Sequence, residues 1–228
     1  MDFPLIGWQR LTLLGDVAVM LPLAVSVAVY LIAARARRTA LYWCCWFGGA
    51  MIFVVISKLA FIGWGLGIAS LDFTGFSGHA ARVCAVFPML GYLMARKKSW
   101  RWRCGSVVSA VVLGLLISFS RVEVQAHSAS EAIGGALLGL LTAWLSIGHA
   151  QRESIRLPAR WLMAGSALAL ALPWLLLSFG QATATPTQEL LTNVALRLSG
   201  HPRPHTRADW RAGRERPMLP TPASIRSA

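Results

Sequence analysis

Ser120-Arg121-Val122-Glu123-Val124-Gln125-Ala126-His127-Ser128-Ala129-Ser130-Glu131 is a short polar stretch between two apolar runs, Cys104 to Phe119 before it and Ala132 to Ile147 after it. Each run approaches the roughly 20 mainly apolar residues that cross about 30 Å of hydrocarbon as a helix. The stretch therefore reads as the connection between two membrane spans. It carries an arginine, a histidine and a carboxylate, and ionisable groups kept so close to a span are costly enough to be functional candidates by default.

Outward from this connection the apolar pattern recurs at Leu11 to Ala33, Leu41 to Gly63, His79 to Ala95 and Trp161 to Phe179. With the first two runs this makes about six spans. Each is expected to be helical, because lipid offers backbone polar groups no partners. The composition agrees: 56% of the 228 residues are hydrophobic and only 14% charged, with a mean hydropathy of +0.56. That balance excludes an ordinary soluble domain and points to an all-α, polytopic membrane helix bundle. The first run lacks a basic leader and is followed by arginines rather than a small-residue cleavage site, so it reads as an uncleaved span.

Residues 1–180 form the expected transmembrane domain, and residues 181–228 an Arg/Pro-rich C-terminal tail. Within the tail, Leu190, Leu191, Val194 and Leu198 recur at helical spacing, which predicts a short helix over Thr187 to Leu198 suited to a lipid interface. Beyond Ser199 the composition predicts disorder. Four cysteines, two of them adjacent inside a span, form neither a disulfide framework nor a zinc-ligand spacing.

The net charge of +13 is mostly topological. Arg35, Arg37 and Arg38 follow the first span; Arg96, Lys97, Lys98, Arg101 and Arg103 join the third to the fourth; Arg152, Arg156 and Arg160 join the fifth to the sixth. These alternate loops share one side of the membrane, the cytoplasmic side by the positive-inside rule. The loops Trp64 to Gly78 and Ser120 to Glu131 then face away from the cytoplasm. No RNA- or DNA-binding module accompanies the charge, so no nucleic-acid partner is expected. The arginines of the tail, Arg197, Arg203, Arg207, Arg211, Arg214 and Arg216, fall on the side that the rule leaves poor in charge.

Both extracytoplasmic loops carry a histidine. Glu131 follows His127 by four residues, within reach on one helical face, and a carboxylate on one ring nitrogen leaves the other free and basic, as a nucleophile requires. Arg121 is placed to offer its guanidinium to the oxygens of the group attacked. His79 follows Ser77 and Gly78 at the start of the third span, where the first helical N–H groups, a hydroxyl and a glycine that admits close approach suit an anion. Its ordinary pKa fits a residue that first gives and then takes a proton. Lys58 interrupts an apolar run near the same end of the second span, either snorkelling to the interface or aimed at the same anion. Asp16 and Asp72 are weaker candidates.

Together these positions resemble the type 2 phosphatidic acid phosphatase superfamily, membrane and soluble phosphatases with the pattern K-x-x-x-x-x-x-R-P, P-S-G-H and S-R-x-x-x-x-x-H-x-x-x-D. Ser120, Arg121 and His127 match the third element, with Glu131 in place of aspartate; Ser77, Gly78 and His79 match the second, with Phe76 in place of proline. Lys58 fits the start of the first, but Gly65 and Leu66 stand where arginine and proline are expected. The resemblance implies a helical core and a metal-free, cofactor-free reaction. In it His127 attacks phosphorus, Glu131 orients it, His79 protonates the leaving group and then activates water, and Lys58, Ser77, Gly78 and Arg121 bind the phosphoryl oxygens. Arg82, three residues after His79 and hence on its helical side, is the expected substitute for the missing arginine.

The implied function is an integral membrane phosphatase that hydrolyses a lipid phosphate or diphosphate, such as polyprenyl diphosphate, phosphatidic acid or lipid A phosphate, through a phosphohistidine. The compact Arg- and Ala-rich chain suggests a bacterial inner membrane, with the site on its periplasmic face. A lipid-to-lipid phosphotransferase and a noncatalytic lipid-binding membrane protein are the alternatives.

Overall fold

The computed structural model describes residues 3–179 and 187–214. Its described residues are helical with no named strand, an all-α bundle as expected. The helices are α1 Phe3–Leu13, α2 Val17–Ala33, α3 Arg37–Trp64, α4 Gly78–Ala95, α5 Trp100–Glu123, α6 Ala129–Arg152, α7 Ala159–Phe179, α8 Thr187–Ser199 and α9 Arg207–Arg214.

Among the described residues, four stretches are long and apolar enough to cross a membrane: Gly7–Ala33, Arg37–Trp64, Trp100–Glu123 and Ala129–Arg152. The expected third and sixth spans correspond to α4 and α7. The first expected span is interrupted: the chain turns after α1, and α2 begins at Val17 with the Asp16 carboxylate accepting the Ala18 N–H at 2.8 Å as its N-cap.

α4 is the hub. Of its 18 residues, only His79, Arg82, Phe87 and Met94 escape full burial. Neither α4 nor α7 is among the four stretches above, so four of the six expected spans are matched. Close packing comes from small residues: a Cβ on Gly135 or Gly139 of α6 would collide with the carbonyls of Ser77 and Ala81 on α4. The outer helices instead expose apolar side chains at helical spacing, such as Ile133, Leu137 and Leu141 of α6, as lipid-facing surfaces do.

The two ends of the bundle differ. At one end the arginine-rich connections bind one another: the Arg156 N–H donates to the Ala34 carbonyl at 3.4 Å, Arg96 Nη2 to the Leu157 carbonyl at 2.7 Å, and Thr39 Oγ1 to Glu153 at 2.6 Å. Trp100, Trp102 and Trp161 stand exposed there, as tryptophans at a membrane interface do. The opposite end gathers the His79 and His127 connections, the α1–α2 turn and the C-terminal helices.

The tail differs from expectation. α8 forms where periodicity predicts it, but beyond Ser199 the chain continues ordered through α9 to Arg214. Its anchors are specific: Trp210 packs edge-on against Phe61 of α3 with ring centroids 4.9 Å apart, and the His205 N–H donates to the Ile62 carbonyl at 2.9 Å. Composition alone carries no trace of such contacts. Residues 1–2, 180–186 and 215–228, the last of these within the stretch expected to be disordered, lie outside the described residues.

Candidate active site

The connection from α5 to α6 is folded by its own backbone. After the α5 C-cap Val124, Gln125 adopts a left-handed φ of 56°, and the N–H groups of Ala126 and His127 both turn back to the Arg121 carbonyl, at 3.0 and 3.2 Å. This closure sets the spacing between Arg121 and His127. Ser128 then caps α6 in a capping box: the Glu131 N–H donates to Ser128 Oγ at 3.4 Å and the Ser128 N–H to Glu131 Oε2 at 3.3 Å. His127 lies just before the helix, not within it.

Glu131 both caps α6 and holds His127. Its side chain is only 1% exposed, and Oε2 also accepts from His127 Nδ1 at 2.8 Å. Oε1 accepts from the Thr74 N–H at 2.8 Å and from the Thr74 hydroxyl. An ionised carboxylate only accepts, so Nδ1 carries the imidazole proton and Nε2 keeps its lone pair. Burial, foremost, together with the nearby Lys58 and Arg121, outweighs Glu131 and holds the His127 pKa below its ordinary 6.5. The ring is therefore neutral and nucleophilic at neutral pH.

His79 opens α4 beside the α1–α2 turn. Arg82 Nη2 lies 3.3 Å from His79 Nδ1 and donates to the Gly15 carbonyl at 3.3 Å, while His79 Nε2 stands 3.9 Å from Asp16 Oδ2. Arg121 Nη1 donates to Thr12 Oγ1 at 3.0 Å. The Nε atoms of Arg82 and Arg121 are buried with no hydrogen-bond partner among the described residues. Two guanidinium groups with idle buried donors make a site that favours an anion.

His79, His127, Glu131, Lys58, Gly78, Arg82 and Arg121 line a single cavity of about 560 Å³. Ser77 stands behind the wall: it is fully buried, and its hydroxyl accepts the Ala80 N–H at 3.4 Å as the α4 N-cap. Gly75, at φ 143°, lets the preceding loop lie on α3, where a Cβ would come within 3.2 Å of Lys58. Phe76, in place of proline, packs against Phe53 and Phe73, each at 5.1 Å. Among the described residues no cluster of His, Cys, Asp or Glu suited to hold a metal occurs.

The tail closes the cavity from the opposite side. Gln188, Leu191 and Thr192 of α8 and Pro204 to Arg207 contribute to its wall. Arg207 Nη2 reaches Glu131 Oε2 at 2.8 Å, and its Nε lies 3.5 Å from Asp72 Oδ1.

A model of the PAP2 superfamily matches residues 64–154. The chain belongs to the PAP2 superfamily. The match includes the second and third motifs and begins after Lys58. Over 208 residues the chain is 36% identical to a Klebsiella pneumoniae protein named "Uncharacterized 22.5 kDa protein in cps region", covering 89% of this chain and 97% of that one. No solved structure matches it. PAP2 membership suggests phosphatase-type activity on a phosphate-bearing substrate, and the apolar helices suggest a membrane protein.

Thr74 and Arg207 escaped the sequence reading, and Asp16 and Asp72 were ranked low. Thr74 sits in a loop with no motif to mark it. Arg207 did leave a signal, because a run of arginines on the side that the positive-inside rule would leave poor in charge asks for a partner there.

Proposed function

We propose that this PAP2 protein removes phosphate from a lipid phosphate or diphosphate at the extracytoplasmic face of a bacterial inner membrane, by way of a phosphohistidine at His127. The observation that carries the reading is the His127 Nδ1 to Glu131 bond of 2.8 Å beside a cavity lined by Lys58, Arg82, Arg121 and Arg207. A lipid substrate fits the placement: the cavity lies at one end of the bundle and has an apolar side formed by Val54, Val55 and Ile62 of α3. A head group can enter while its chains stay in lipid. The sidedness follows from the arginine-rich connections gathered at the other end.

In this scheme Nε2 of His127 attacks phosphorus, and the bond to the leaving oxygen breaks as that oxygen takes a proton from His79. Water then attacks the phosphohistidine, gives a proton to His79, and releases phosphate as the P–N bond breaks. The cations lining the cavity neutralise the phosphoryl oxygens, the largest contribution available to such transfers. Arg82 has a second task. While it donates to Nδ1 that nitrogen carries no proton; an arriving phosphate monoanion, by drawing the guanidinium to itself, frees Nδ1 to take the substrate's proton, so that His79 can give one to the leaving oxygen.

The test is phosphate release from phosphatidic acid, polyprenyl diphosphate, phosphatidylglycerol phosphate and lipid A by purified protein in detergent with chelator present. Wild type should release phosphate from at least one of these, and His127→Ala should lower the rate by at least about 10³-fold. Undiminished release by His127→Ala would end the proposal.

A further inference from the structure

Glu131 is almost wholly buried, and a lone ionised carboxylate in such a place is costly unless a cation answers it. Its partners on the membrane domain are the Thr74 N–H and hydroxyl, the Ser128 N–H and the neutral His127 ring. None brings a full charge. The cation bonded to it comes from the C-terminal segment: Arg207 Nη2, 2.8 Å from Oε2.

We infer that Arg207 is a positioning residue of the active site, delivered by the C-terminal segment as the counter-ion that keeps Glu131 ionised and His127 in its Nδ1–H form. The inference rests on the proposed phosphatase reading and adds to it a part of the chain outside the three motifs. Delivery is built into the packing. Gly65, the residue standing where the first motif would carry arginine, has a left-handed φ of 69°, and a Cβ there would lie 3.0 Å from the His205 ring. Glycine at 65 leaves the His205 ring the room it occupies, and the His205 N–H bond to the Ile62 carbonyl at 2.9 Å anchors the chain two residues before Arg207. The cation missing from α3 is thus returned to the same cavity from a distant part of the sequence.

Charge in the cavity agrees. Lys58, Arg82, Arg121 and Arg207 stand against Asp16 and Glu131, an excess of two positive charges, close to the charge of about −2 on a phosphomonoester. Without Arg207 the excess falls to one.

Diethyl pyrocarbonate modifies neutral imidazole, so its reaction with His127, followed across pH by peptide mass spectrometry, reads the ring's ionisation with no substrate present. Removing a positive charge beside the imidazole–carboxylate pair makes the pair hold its proton more tightly. The midpoint should therefore rise in Arg207→Gln and return towards wild type in Arg207→Lys; a midpoint unmoved by Arg207→Gln would overturn the inference. On whichever lipid the wild type cleaves, Arg207→Gln should lower kcat by roughly 10- to 100-fold, with KM changing less and partial recovery in Arg207→Lys. Failure of the wild type on every lipid of the panel counts against the functional reading, whereas an unmoved midpoint counts against Arg207 alone.

Discussion

The two histidine halves of the cavity are built to different degrees of completion. Around His127 every partner is in place: Glu131 receives donors on both oxygens, and the backbone closure after α5 fixes the ring's position. Around His79 the contacts are longer, 3.3 Å to Arg82 and 3.9 Å to Asp16, and the guanidinium Nε atoms of Arg82 and Arg121 lie buried without partners among the described residues. A satisfied buried network is rigid, whereas each unsatisfied donor costs about 1–3 kcal/mol until something accepts from it. In the proposed scheme the nucleophile's half is ready without ligand, and the other half is completed by the anion it binds.

The change that most directly breaks this contrast is Glu131→Gln. It keeps the size of the side chain but removes the charge that holds Nδ1–H and stabilises the imidazolium. By analogy with the loss of the orienting carboxylate in a nucleophile–histidine–carboxylate triad, kcat should fall on the order of 10⁴-fold while the protein still folds. Steady-state phosphate release, with helical content checked by circular dichroism, measures it. A variant within a factor of three of wild type would mean that the saturated half contributes nothing beyond packing.

Arg82→Ala probes the incomplete half. A charge-assisted hydrogen bond is worth about 1.5–3 kcal/mol, so kcat/KM should fall by roughly 10- to 100-fold, less than for Glu131→Gln. Because Arg82 meets both the anion and His79, kcat and KM should both change. Unchanged phosphate release and substrate affinity in a folded variant would remove Arg82 from the cradle.

The same contrast separates what the sequence disclosed from what it withheld. The helices were legible because lipid imposes long apolar runs: the six expected runs fall on α2 to α7, and among the described residues four stretches are long and apolar enough to cross a membrane. The His127–Glu131 pair was legible because four residues of separation permit contact, although a capping box rather than one helical face brings the two together. The charge-poor loops correctly gathered both histidines at one end. Thr74 was hidden because a backbone N–H and a hydroxyl in a loop have no periodicity, and their partner lies 57 residues away. Arg207 was hidden for a similar reason: a composition rich in Arg and Pro reads as disorder, since propensity averages over a segment and cannot register one aromatic contact at Phe61 or one ion pair at Glu131.

The smallest expected effect sharpens the comparison through pH. A nucleophilic imidazole must be neutral, and burial together with Lys58 and Arg121 holds the His127 pKa below 6.5 despite the opposing carboxylate. Protonation of His127 therefore removes activity only at pH values under that figure, and the acid limb of kcat/KM for the free enzyme should bend below pH 6.5 instead of at it. In Lys58→Met a positive charge near the ring is gone, the imidazole holds its proton more readily, and the limb should move to higher pH. Were the limb in wild type to lie above 6.5, the titrating group would be something other than His127 as the structure surrounds it.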